Sequence, residues 1–499
     1  MKIKELIKTL DSKKVPANLG NAEVEGIAYD SRRIKENFVF IALKGASFDG
    51  HQFINDAIAR GAKILIVSKK SAVLPSDVCE ITVDDTRKAL HKLAAEFYGH
   101  PSKRLKLLGI TGTNGKTTTS YLIKQILEYT GSKCGLIGTI SYQVGERTIG
   151  SVNTTPESLD LQKLFSDMLE EDCRWAVMEV SSHGIAHGRI SEVHFDAGIF
   201  TNIASHEHLD YHKKFKNYLR AKLEFFSRYL KESEKDKKTG IVNSDDAYAG
   251  YFIKTLRKNS INCITYGRKN ADVRLVDYSI QRDGNYLTAD IRGKKTDFHT
   301  RIRGLGNVYN TLAGISFALS QDIKPETLKE PMALINSVPG RFESVDEGQD
   351  FDVIVDYAHT HHALSNLLKS VKELRPRRII LVFGCGGDRD KSKRPLMGSA
   401  AVKMADIVFI TSDNPRSEDP EDIIKDIERG VPFYLNKKYV SIPDRKRAIK
   451  EAVSMAGEND CVVIAGKGHE TFQIMKNTVI PFDDREEAKK AIRALKNGI

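Results

Sequence analysis

The sequence predicts an α/β protein with mostly parallel sheets, divided into three domains. Short apolar runs alternate along the chain with segments of helical spacing, and one such run leads through a glycine-rich loop into a helix. The length of 499 residues favours about three domains. We expect residues 1–98 to form an N-terminal α/β domain, residues 99–337 a central P-loop domain and residues 338–499 a C-terminal Rossmann-like α/β domain.

The first domain contains α/β elements without a glycine-rich loop. Strand-like apolar runs occur at Phe38–Leu43 and Ala62–Val67, and the spacing between them predicts a helix over Gln52–Arg60. A second helix is predicted over Thr86–Tyr98, and Gly99–Ser102 after it has the composition of a linker.

The central domain is expected to begin near the glycine-rich loop and to contain a largely parallel sheet. Residues 285–303 alternate apolar and polar side chains, which predicts a small antiparallel addition. A helix around Asn310–Leu319 and a turn at Val338–Gly340 end the domain. The parallel strands are predicted at Leu105–Leu108, Trp175–Met178, Ala197–Phe200 and Gly240–Val242.

The third domain repeats the alternation of strand and helix. Polar, acidic or glycine-rich residues follow the carboxyl end of each strand, which is the edge where open parallel sheets bind ligands. Its strands are predicted at Asp352–Val355, Arg378–Phe383, Asp406–Ile410 and Cys461–Ile464.

The composition argues against several classes of protein. Lys and Arg exceed Asp and Glu by 77 to 66, but the densest charged run, Lys231–Lys238, mixes both signs, so we expect small anionic substrates and no nucleic acid. No apolar run approaches the ~18 residues of a membrane span, and the charged N-terminus does not resemble a signal peptide. Six scattered cysteines favour a reducing compartment. We expect a cytoplasmic monomer that does not associate with membranes.

The segment Gly109–Ser120 carries the strongest functional signal. A glycine-rich turn between a strand and a helix directs backbone N–H groups and the helix dipole into one small space, where they favour phosphate. Lys116 can reach a terminal phosphate, and the hydroxyl of Thr117 can bind the accompanying Mg²⁺. The spacing departs from the usual P-loop because Ile110 occupies the first glycine position. The segment predicts ATP binding.

Candidate metal ligands follow two other predicted strands. Glu179 comes directly after one of them, beside the glycine-rich loop, and a carboxylate there suits Mg²⁺. Residues 206–212 contain three histidines and two acids in seven positions. Zinc sites usually show a defined spacing and a closed set of ligands, so a single histidine on a second Mg²⁺ is favoured. A polar loop with nothing bound is the alternative.

Ten motifs of the second and third segments resemble those of the Mur ligases and occur in that family's order, and the resemblance extends to the first segment. The resemblance implies an ATP-dependent ligase of peptidoglycan precursor synthesis. Such an enzyme phosphorylates the free carboxylate of a UDP-N-acetylmuramoyl dipeptide, and the amine of an incoming amino acid then displaces the phosphate. The motifs are Gly109–Ser120, Met178–His183, His208–His212, Leu305–Asn310, Val338–Glu343, Val355–Thr360, Phe383–Asp390, Arg394–Gly398, Asp413–Arg416 and Gly466–Glu470.

The resemblance also implies roles around the nucleotide. Thr117, Glu179 and His208 would bind magnesium, and Lys222 matches the lysine that the family carbamylates with CO₂ to make a further metal ligand. From the sequence alone, Lys222 is expected on a helix surface. Lys116, Glu179, His208 and Lys222 form the implied catalytic set. The implied ATP-binding residues are Gly112, Thr113, Asn114, Gly115, Lys116, Thr117, Thr118, Asn307, Arg341 and His359.

The other two substrates have implied positions as well. Asp413–Arg416 resembles the diaminopimelate version of its motif, because an arginine can bind the extra carboxylate of meso-diaminopimelate bidentately. Glu470 could take the distal ammonium of that amino acid. The implied amino-acid-binding residues are Arg389, Asp413, Asn414, Arg416, Gly466 and Glu470. The implied contacts of the UDP-sugar and its peptide are Ser31, Asn153, Thr154, Thr155, Ser182 and Arg189.

Four other interpretations are open to the sequence. A lysine-adding relative would share nearly everything except the residues around 414–416. Folylpolyglutamate synthase shares the phosphate loop but lacks a substantial N-terminal UDP-binding domain. A P-loop ATPase that moves nucleic acid would hydrolyse ATP faster with DNA or RNA present. A nucleotide-binding scaffold without activity is the weakest interpretation, because it does not explain why candidate metal ligands and an arginine occur on separate segments.

Overall fold

The fold is taken from a computed structural model that describes residues 1–10, 23–45, 49–71, 73–205, 209–476 and 478–497. Within these residues the strands form three sheets and one two-stranded hairpin. No helix of the described residues is long and apolar enough to cross a membrane. All six cysteines are free thiols.

The N-terminal sheet contains four parallel strands in chain order. One of its helices, α3, begins where the side chain of Asp85 accepts hydrogen bonds from the N–H groups of Arg87 and Lys88. The strands are β1 (Gly26–Ala28), β2 (Phe38–Ile41), β3 (Ile64–Val67) and β4 (Cys79–Thr82). The helices are α1 (Ile3–Leu6), α2 (Ile54–Ala59), α3 (Thr86–Phe97) and α4 (Pro101–Arg104).

The central sheet has eleven strands, of which the middle seven are parallel and both edges are antiparallel. The carboxyl ends of its three central strands therefore meet at one edge. In spatial order the strands are β15 (Lys294–Thr300), β14 (Gly284–Ile291), β13 (Val273–Gln281), β12 (Asn262–Gly267), β11 (Thr239–Asn243), β10 (Ala197–Phe200), β5 (Lys106–Thr111), β9 (Trp175–Glu179), β6 (Cys134–Ile137), β7 (Ser141–Val144) and β8 (Arg147–Gly150).

Helices cover both faces of this sheet and enclose two apolar cores. On one face α5 and α11 pack together, and on the other α6, α9 and α10 cover the strands. The helices are α5 (Lys116–Tyr129), α6 (Ser158–Glu170), α7 (Ser182–Ala186), α8 (Leu209–His212), α9 (Phe215–Glu224), α10 (Ala249–Lys258), α11 (Leu305–Ser320) and α12 (Lys329–Leu334).

The C-terminal sheet has six strands and is parallel except for its first edge strand. In spatial order they are β16 (Glu343–Ser344), β17 (Asp352–Asp356), β21 (Cys461–Ala465), β18 (Ile379–Phe383), β19 (Ile407–Ile410) and β20 (Tyr439–Ser441). The helices are α13 (His361–Glu373), α14 (Lys393–Met404), α15 (Pro420–Glu428), α16 (Arg445–Ser454) and α17 (Asp484–Lys496). A separate hairpin joins β22 (Phe472–Met475) and β23 (Thr478–Pro481).

The α/β class with mostly parallel sheets is confirmed, and two local predictions need adjustment. The antiparallel addition begins at Val273 rather than at 285, since it also includes β13. This strand pairs in parallel with β12 on one side and antiparallel with β14 on the other. A bulge between Leu275 and Asp277 disturbs the alternation that would have revealed it. The predicted linker Gly99–Ser102 already contains the start of α4, with Pro101 in the first turn.

Side-chain contacts connect the sheets to one another. Tyr29 and Arg33 of the N-terminal part both bond to Asp160 on α6, at 2.5 and 3.0 Å. Arg303, whose side chain is buried, pairs with Asp352 at the start of β17 at 3.0 Å. The N-terminal and C-terminal parts of the chain therefore each contact the central part.

Candidate active site

The glycine-rich loop spans residues 112–115, between the end of β5 and the start of α5. Gly115 has a φ of +86°, and a Cβ there would lie 2.4 Å from Oδ1 of Asn310, so the position requires glycine. The first turn of α5 opens towards this loop, where its dipole and backbone N–H groups favour an anion.

The end of β10 holds this loop from the neighbouring strand. Oδ1 of Asn202 accepts a hydrogen bond from the N–H of Asn114 at 2.9 Å, and the hydroxyl of Thr201 donates to the Asn114 carbonyl at 2.7 Å. The hydroxyl of Thr113 lies 2.9 Å from that of Tyr218 on α9. The chain therefore fixes the loop conformation through its own contacts.

Two lysine ammonium groups meet one carbonyl of the loop. Nζ of Lys116 donates to the carbonyls of Gly112 and Thr113, both at 3.0 Å. Nζ of Lys222 donates to the same Gly112 carbonyl at 2.8 Å and lies 4.7 Å from the centre of the Tyr218 ring. Burial, reinforced by the cation of Lys116, lowers the pKa of Lys222 well below its usual value.

The expectation of a surface lysine at 222 is wrong. The Lys222 side chain is only 1% exposed. Tyr218, one helical turn earlier on α9, is also buried, so both residues lie on the face that α9 turns towards the glycine-rich loop. Spacing alone treats a lysine as polar and assigns it to the outer face, which is why the sequence misplaced it.

Glu179 ends β9 and is hydrogen-bonded through both carboxylate oxygens. The hydroxyls of Thr117 and Thr139 donate to Oε2 at 3.0 Å each, and the N–H of Thr139 donates to Oε1 at 2.9 Å. The carboxylate is buried beside the first turn of α5. A threonine hydroxyl next to a carboxylate offers the oxygen ligands that Mg²⁺ prefers.

The predicted ligand His208 lies outside the described residues. Close to it in sequence, the ring of Tyr211 packs on that of His183 with centroids 4.4 Å apart, and its hydroxyl lies 3.2 Å from Nε2 of His187. No group of three or more His, Cys, Asp or Glu side chains could hold a metal ion within the described part of the chain.

Thr155 and Arg189 meet on the side of Glu179 away from the loop. Nη1 of Arg189 donates to the Thr155 carbonyl at 2.9 Å, and the hydroxyl of Thr155 donates to the Glu179 carbonyl at 2.9 Å. Asn153 and Thr154 line the cleft beside them. These four predicted residues of the UDP-peptide set are therefore neighbours.

The other two residues of that set do not line the cleft. Ser182 begins α7 and is buried, whereas its neighbour Ser181 faces the cleft and caps α7 by accepting from the N–H of Gly184 at 3.0 Å. Ser31 is buried in a 3₁₀ turn of the N-terminal domain.

Arg341 connects the central and C-terminal parts of the site. Its guanidinium carbon lies 4.8 Å from the centre of the Tyr357 ring, and Nη2 lies 3.4 Å from the hydroxyl of Thr117. His359 follows β17, and its Nδ1 lies 2.8 Å from the Tyr357 carbonyl. On the central side, Nδ2 of Asn307 donates to the Arg303 carbonyl at 2.7 Å.

The turn before Arg341 touches a loop of the C-terminal sheet. Gly340 has a φ of +64°, and a Cβ there would lie 2.0 Å from the backbone nitrogen of His469. The Gly340 carbonyl accepts from the N–H of Tyr357 at 2.9 Å. Two backbones meet here so closely that no side chain fits between them.

The predicted amino-acid pocket is built around Asn414. Its Oδ1 accepts from Nζ of Lys467 at 3.1 Å and from the N–H of Ile474 at 3.0 Å, and its Nδ2 donates to Oε2 of Glu470 at 2.8 Å. Nζ of Lys467 also bonds to that oxygen of Glu470, at 2.9 Å. Gly466, with a φ of +118°, lets the chain pass close to Asp413.

Arg416 lies against the loop that follows β18. Its Nη1 donates to the Gly387 carbonyl at 2.9 Å, and its backbone N–H donates to the Ile474 carbonyl at 3.0 Å. Buried Arg394 supports the same loop by donating to the Gly386 carbonyl at 3.2 Å. Arg394 also pairs with Glu418 at 2.9 Å and lowers the pKa of that carboxyl to about 2.

A cleft of about 1350 Å³ joins the central and C-terminal regions. Arg389 is the member of the predicted amino-acid set that lines this cleft, whereas Asn414, Arg416 and Glu470 do not line it. Among the residues lining it are Lys116, Thr155, Arg189, Arg341, His359 and Arg389.

Sequence reasoning missed Thr139 and Lys467. Thr139 makes two of the three hydrogen bonds to the Glu179 carboxylate, yet it lies in an unremarked connection after β6. Lys467 lies in the motif Gly466–Glu470, of which only Gly466 and Glu470 were predicted to line the pocket. Its position between these two residues was the signal that could have indicated it.

Models of three families match successive parts of the chain. They are "Mur ligase family, catalytic domain" over residues 23–98, "Mur ligase middle domain" over 110–318, and "Mur ligase, glutamate ligase domain" over 340–468. Together they support the predicted three-domain architecture.

Individual relatives and structures match over almost the whole chain. A UDP-N-acetylmuramoyl-L-alanyl-D-glutamate–2,6-diaminopimelate ligase of Clostridium acetobutylicum is 43% identical, covering 99% of this chain and 100% of the relative. A solved structure of an enzyme of that name has a TM-score of 0.70 at 30% identity, covering 99% and 100% of the two chains. The MurF ligase of Thermotoga maritima, solved in complex with ADP, has a TM-score of 0.65 at 19% identity, covering 95% and 98%.

Proposed function

Because this chain belongs to the Mur ligase family, we propose that it joins meso-2,6-diaminopimelate to UDP-N-acetylmuramoyl-L-alanyl-D-glutamate at the expense of ATP. The products are the tripeptide precursor of peptidoglycan, ADP and phosphate. The observation that carries the proposal is one cleft that has the phosphate loop on one wall and Arg389 of the amino-acid pocket on another.

The first half of the reaction activates a carboxylate, which is by itself a poor electrophile. ATP lies with its terminal phosphates on the loop at 112–115, where Lys116 leaves its carbonyl partners to meet the γ-phosphate. Arg341 approaches from the other domain, next to Thr117, and stabilises the negative charge that moves during transfer. Asn307 and His359 contact the nucleotide. The product of this step is an acyl phosphate.

Mg²⁺ fits the oxygen donors of Thr117 and Glu179, with His208 as a further ligand in the family pattern. When bound, it neutralises charge on the phosphates. Lys222 is the proposed site of carbamylation, and its buried amine, with a lowered pKa, supports this because neutral amines react with CO₂. A carbamate in place of the ammonium would turn a cation beside the loop into an anion.

The second half brings the amine to the acyl phosphate. Thr155 and Arg189 orient the glutamyl end of the UDP-linked peptide, and Asn153 and Thr154 bind beside them. Ser182 and Ser31 are buried and do not line the cleft, so they are left out of this set. Arg416 and Arg389 bind the distal carboxylate of diaminopimelate, and Glu470 its ammonium. The attacking amine forms the amide bond, and phosphate leaves with the electron pair of the broken C–O bond.

We propose that the reaction takes place in the cytoplasm and that one chain suffices for it. The cytoplasm supplies ATP and keeps thiols reduced, and the six free cysteines agree with such a compartment. The cleft is lined by the central and C-terminal parts of the same chain, which supports a site that needs no second copy.

The test is phosphate release from ATP and Mg²⁺ with the UDP-dipeptide, comparing meso-diaminopimelate with L-lysine as acceptor. We expect release that depends on both substrates and is selective for diaminopimelate. Preference for L-lysine would keep the ligase activity but make L-lysine the acceptor in place of diaminopimelate. Release that depends on a folate with glutamate, or on DNA or RNA, would overturn the function altogether.

A further inference from the structure

We propose that Lys467 is a positioning residue that sets the orientation of both Asn414 and Glu470 for the incoming amino acid. The inference rests on the proposed function, because it assigns a role within that function's amino-acid pocket. It follows from the hydrogen bonds of one buried ammonium group.

Lys467 is unusual in being a lysine with no exposed surface. It begins the turn after β21, and the N–H of Glu470 donates to its carbonyl at 3.0 Å. Its Nζ bonds to Oδ1 of Asn414 at 3.1 Å and to Oε2 of Glu470 at 2.9 Å. Burying an ammonium group costs free energy unless it is paired and hydrogen-bonded, so these two contacts stabilise it there, together with the Phe472 ring, whose centre lies 5.8 Å from Nζ.

The ammonium group and one backbone N–H together decide which way the Asn414 amide faces. An ammonium group can only donate, so the atom of Asn414 that faces Lys467 must be the oxygen. The N–H of Ile474 donates to the same oxygen at 3.0 Å. The amide nitrogen is therefore directed at Glu470, to which it donates at 2.8 Å.

The same group leaves Glu470 with one oxygen for a ligand. Lys467 and Asn414 both bond to Oε2, and among the described residues no hydrogen bond reaches Oε1. Two bonds to one oxygen restrict rotation of the carboxylate and leave Oε1 to meet a ligand. An incoming ammonium would meet a carboxylate that is already oriented and partly neutralised, and that needs no rearrangement on binding.

Double-mutant analysis separates this role from a general effect on stability. Lys467→Met removes the charge at nearly constant volume, Glu470→Gln removes its partner, and the double variant removes both. We expect each single variant to raise the KM for diaminopimelate by about 30-fold, with the KM for ATP within about threefold of wild type. The double variant should be no worse than either single one, because both substitutions disable the same arrangement.

The matched control is Lys438→Met in the same domain, since Lys438 is partly buried and donates to the backbone carbonyl of Ala405, away from the pocket. It should leave every KM unchanged. If Lys467→Met does not fold, Lys467→Gln takes its place in the cycle. The inference is overturned if the effects of the two single variants multiply in the double one, or if the KM for diaminopimelate does not change. Absence of diaminopimelate-dependent turnover in the wild-type protein would instead reject the proposed function.

Discussion

The phosphate loop and the amino-acid pocket both bind charged groups, but they are assembled from the chain in different ways. The loop lies between β5 and α5, and the ends of the adjacent strands β9 and β10 support it. The pocket is assembled from four segments, at 384–390, 413–416, 466–470 and 472–475. The first three contain motifs of the family, but the contacts that join the segments were not predicted. A local motif predicts its own chemistry, whereas an assembled pocket becomes visible only after folding.

The cations of the two regions also differ in their partners. At the loop, Lys116 and Lys222 donate to backbone carbonyls, which are weak partners that a phosphate or a metal can replace. In the pocket, Lys467 and Arg394 bond to carboxylates, which hold them in place. Substitutions at the loop should therefore remove chemistry, and those in the pocket should remove binding of one substrate.

The largest effect is expected at the loop. Lys116→Ala should lower kcat about 1000-fold, because a positioned cation at the transferring phosphate is lost. Phosphate release measures this, and Lys124→Ala serves as control, since Lys124 lies on the same helix but pairs with Glu128 at the surface. Turnover near that of wild type in Lys116→Ala would reject the placement of ATP.

Arg416→Ala tests the other side of the comparison. It should raise the KM for diaminopimelate about 100-fold and leave the KM for ATP nearly unchanged, because a ligand carboxylate loses its charged partner. Steady-state kinetics with each substrate varied in turn would measure the two KM values separately. Arg429→Ala is the control in the same domain, since Arg429 forms an exposed pair with Asp426. Equal rises in both KM values would make Arg416 a structural residue.

Glu179→Gln should raise the Mg²⁺ concentration needed for half-maximal activity about 30-fold. The amide keeps the shape and can still accept from Thr117 and Thr139, but it lacks the charge that holds the metal. Magnesium titration of turnover measures it, with Glu171→Gln as control, since Glu171 pairs with surface lysine and arginine. An unchanged magnesium requirement would place the metal elsewhere.

The smallest effect concerns stability. Because burial lowers the pKa of Lys222 in the folded protein below its unfolded value, the folded state binds fewer protons, and its stability rises with pH between these two values. In CO₂-free buffer, the stability of Lys222→Met relative to wild type should therefore be higher at pH 6.5 than at pH 9.5. Urea unfolding at both pH values would show this. A pH-independent difference would mean that Lys222 titrates normally.

The sequence predicted the strands at the centre of each sheet, because their apolar runs are continuous and buried on both faces. It predicted Lys116, Thr117 and Glu179 as a group, and their side chains do lie together. It could not predict the burial of Lys222, because periodicity assigns a charged residue to the outer face of a helix. It also could not pair Lys467 with Asn414, since 53 residues separate them and the contact depends on the order of strands in the sheet.

The backbone contact between Gly340 and the loop at 466–469 restricts how this chain can be recombined. The turn at Gly340 and the loop at 466–469 pack backbone against backbone with no side chain between them, so they form one structural unit. A chimera that receives the C-terminal domain of a relative should therefore be cut before residue 338 and not after 343. A junction after residue 343 would take the turn from one protein and the loop from another, and their backbones would not be complementary.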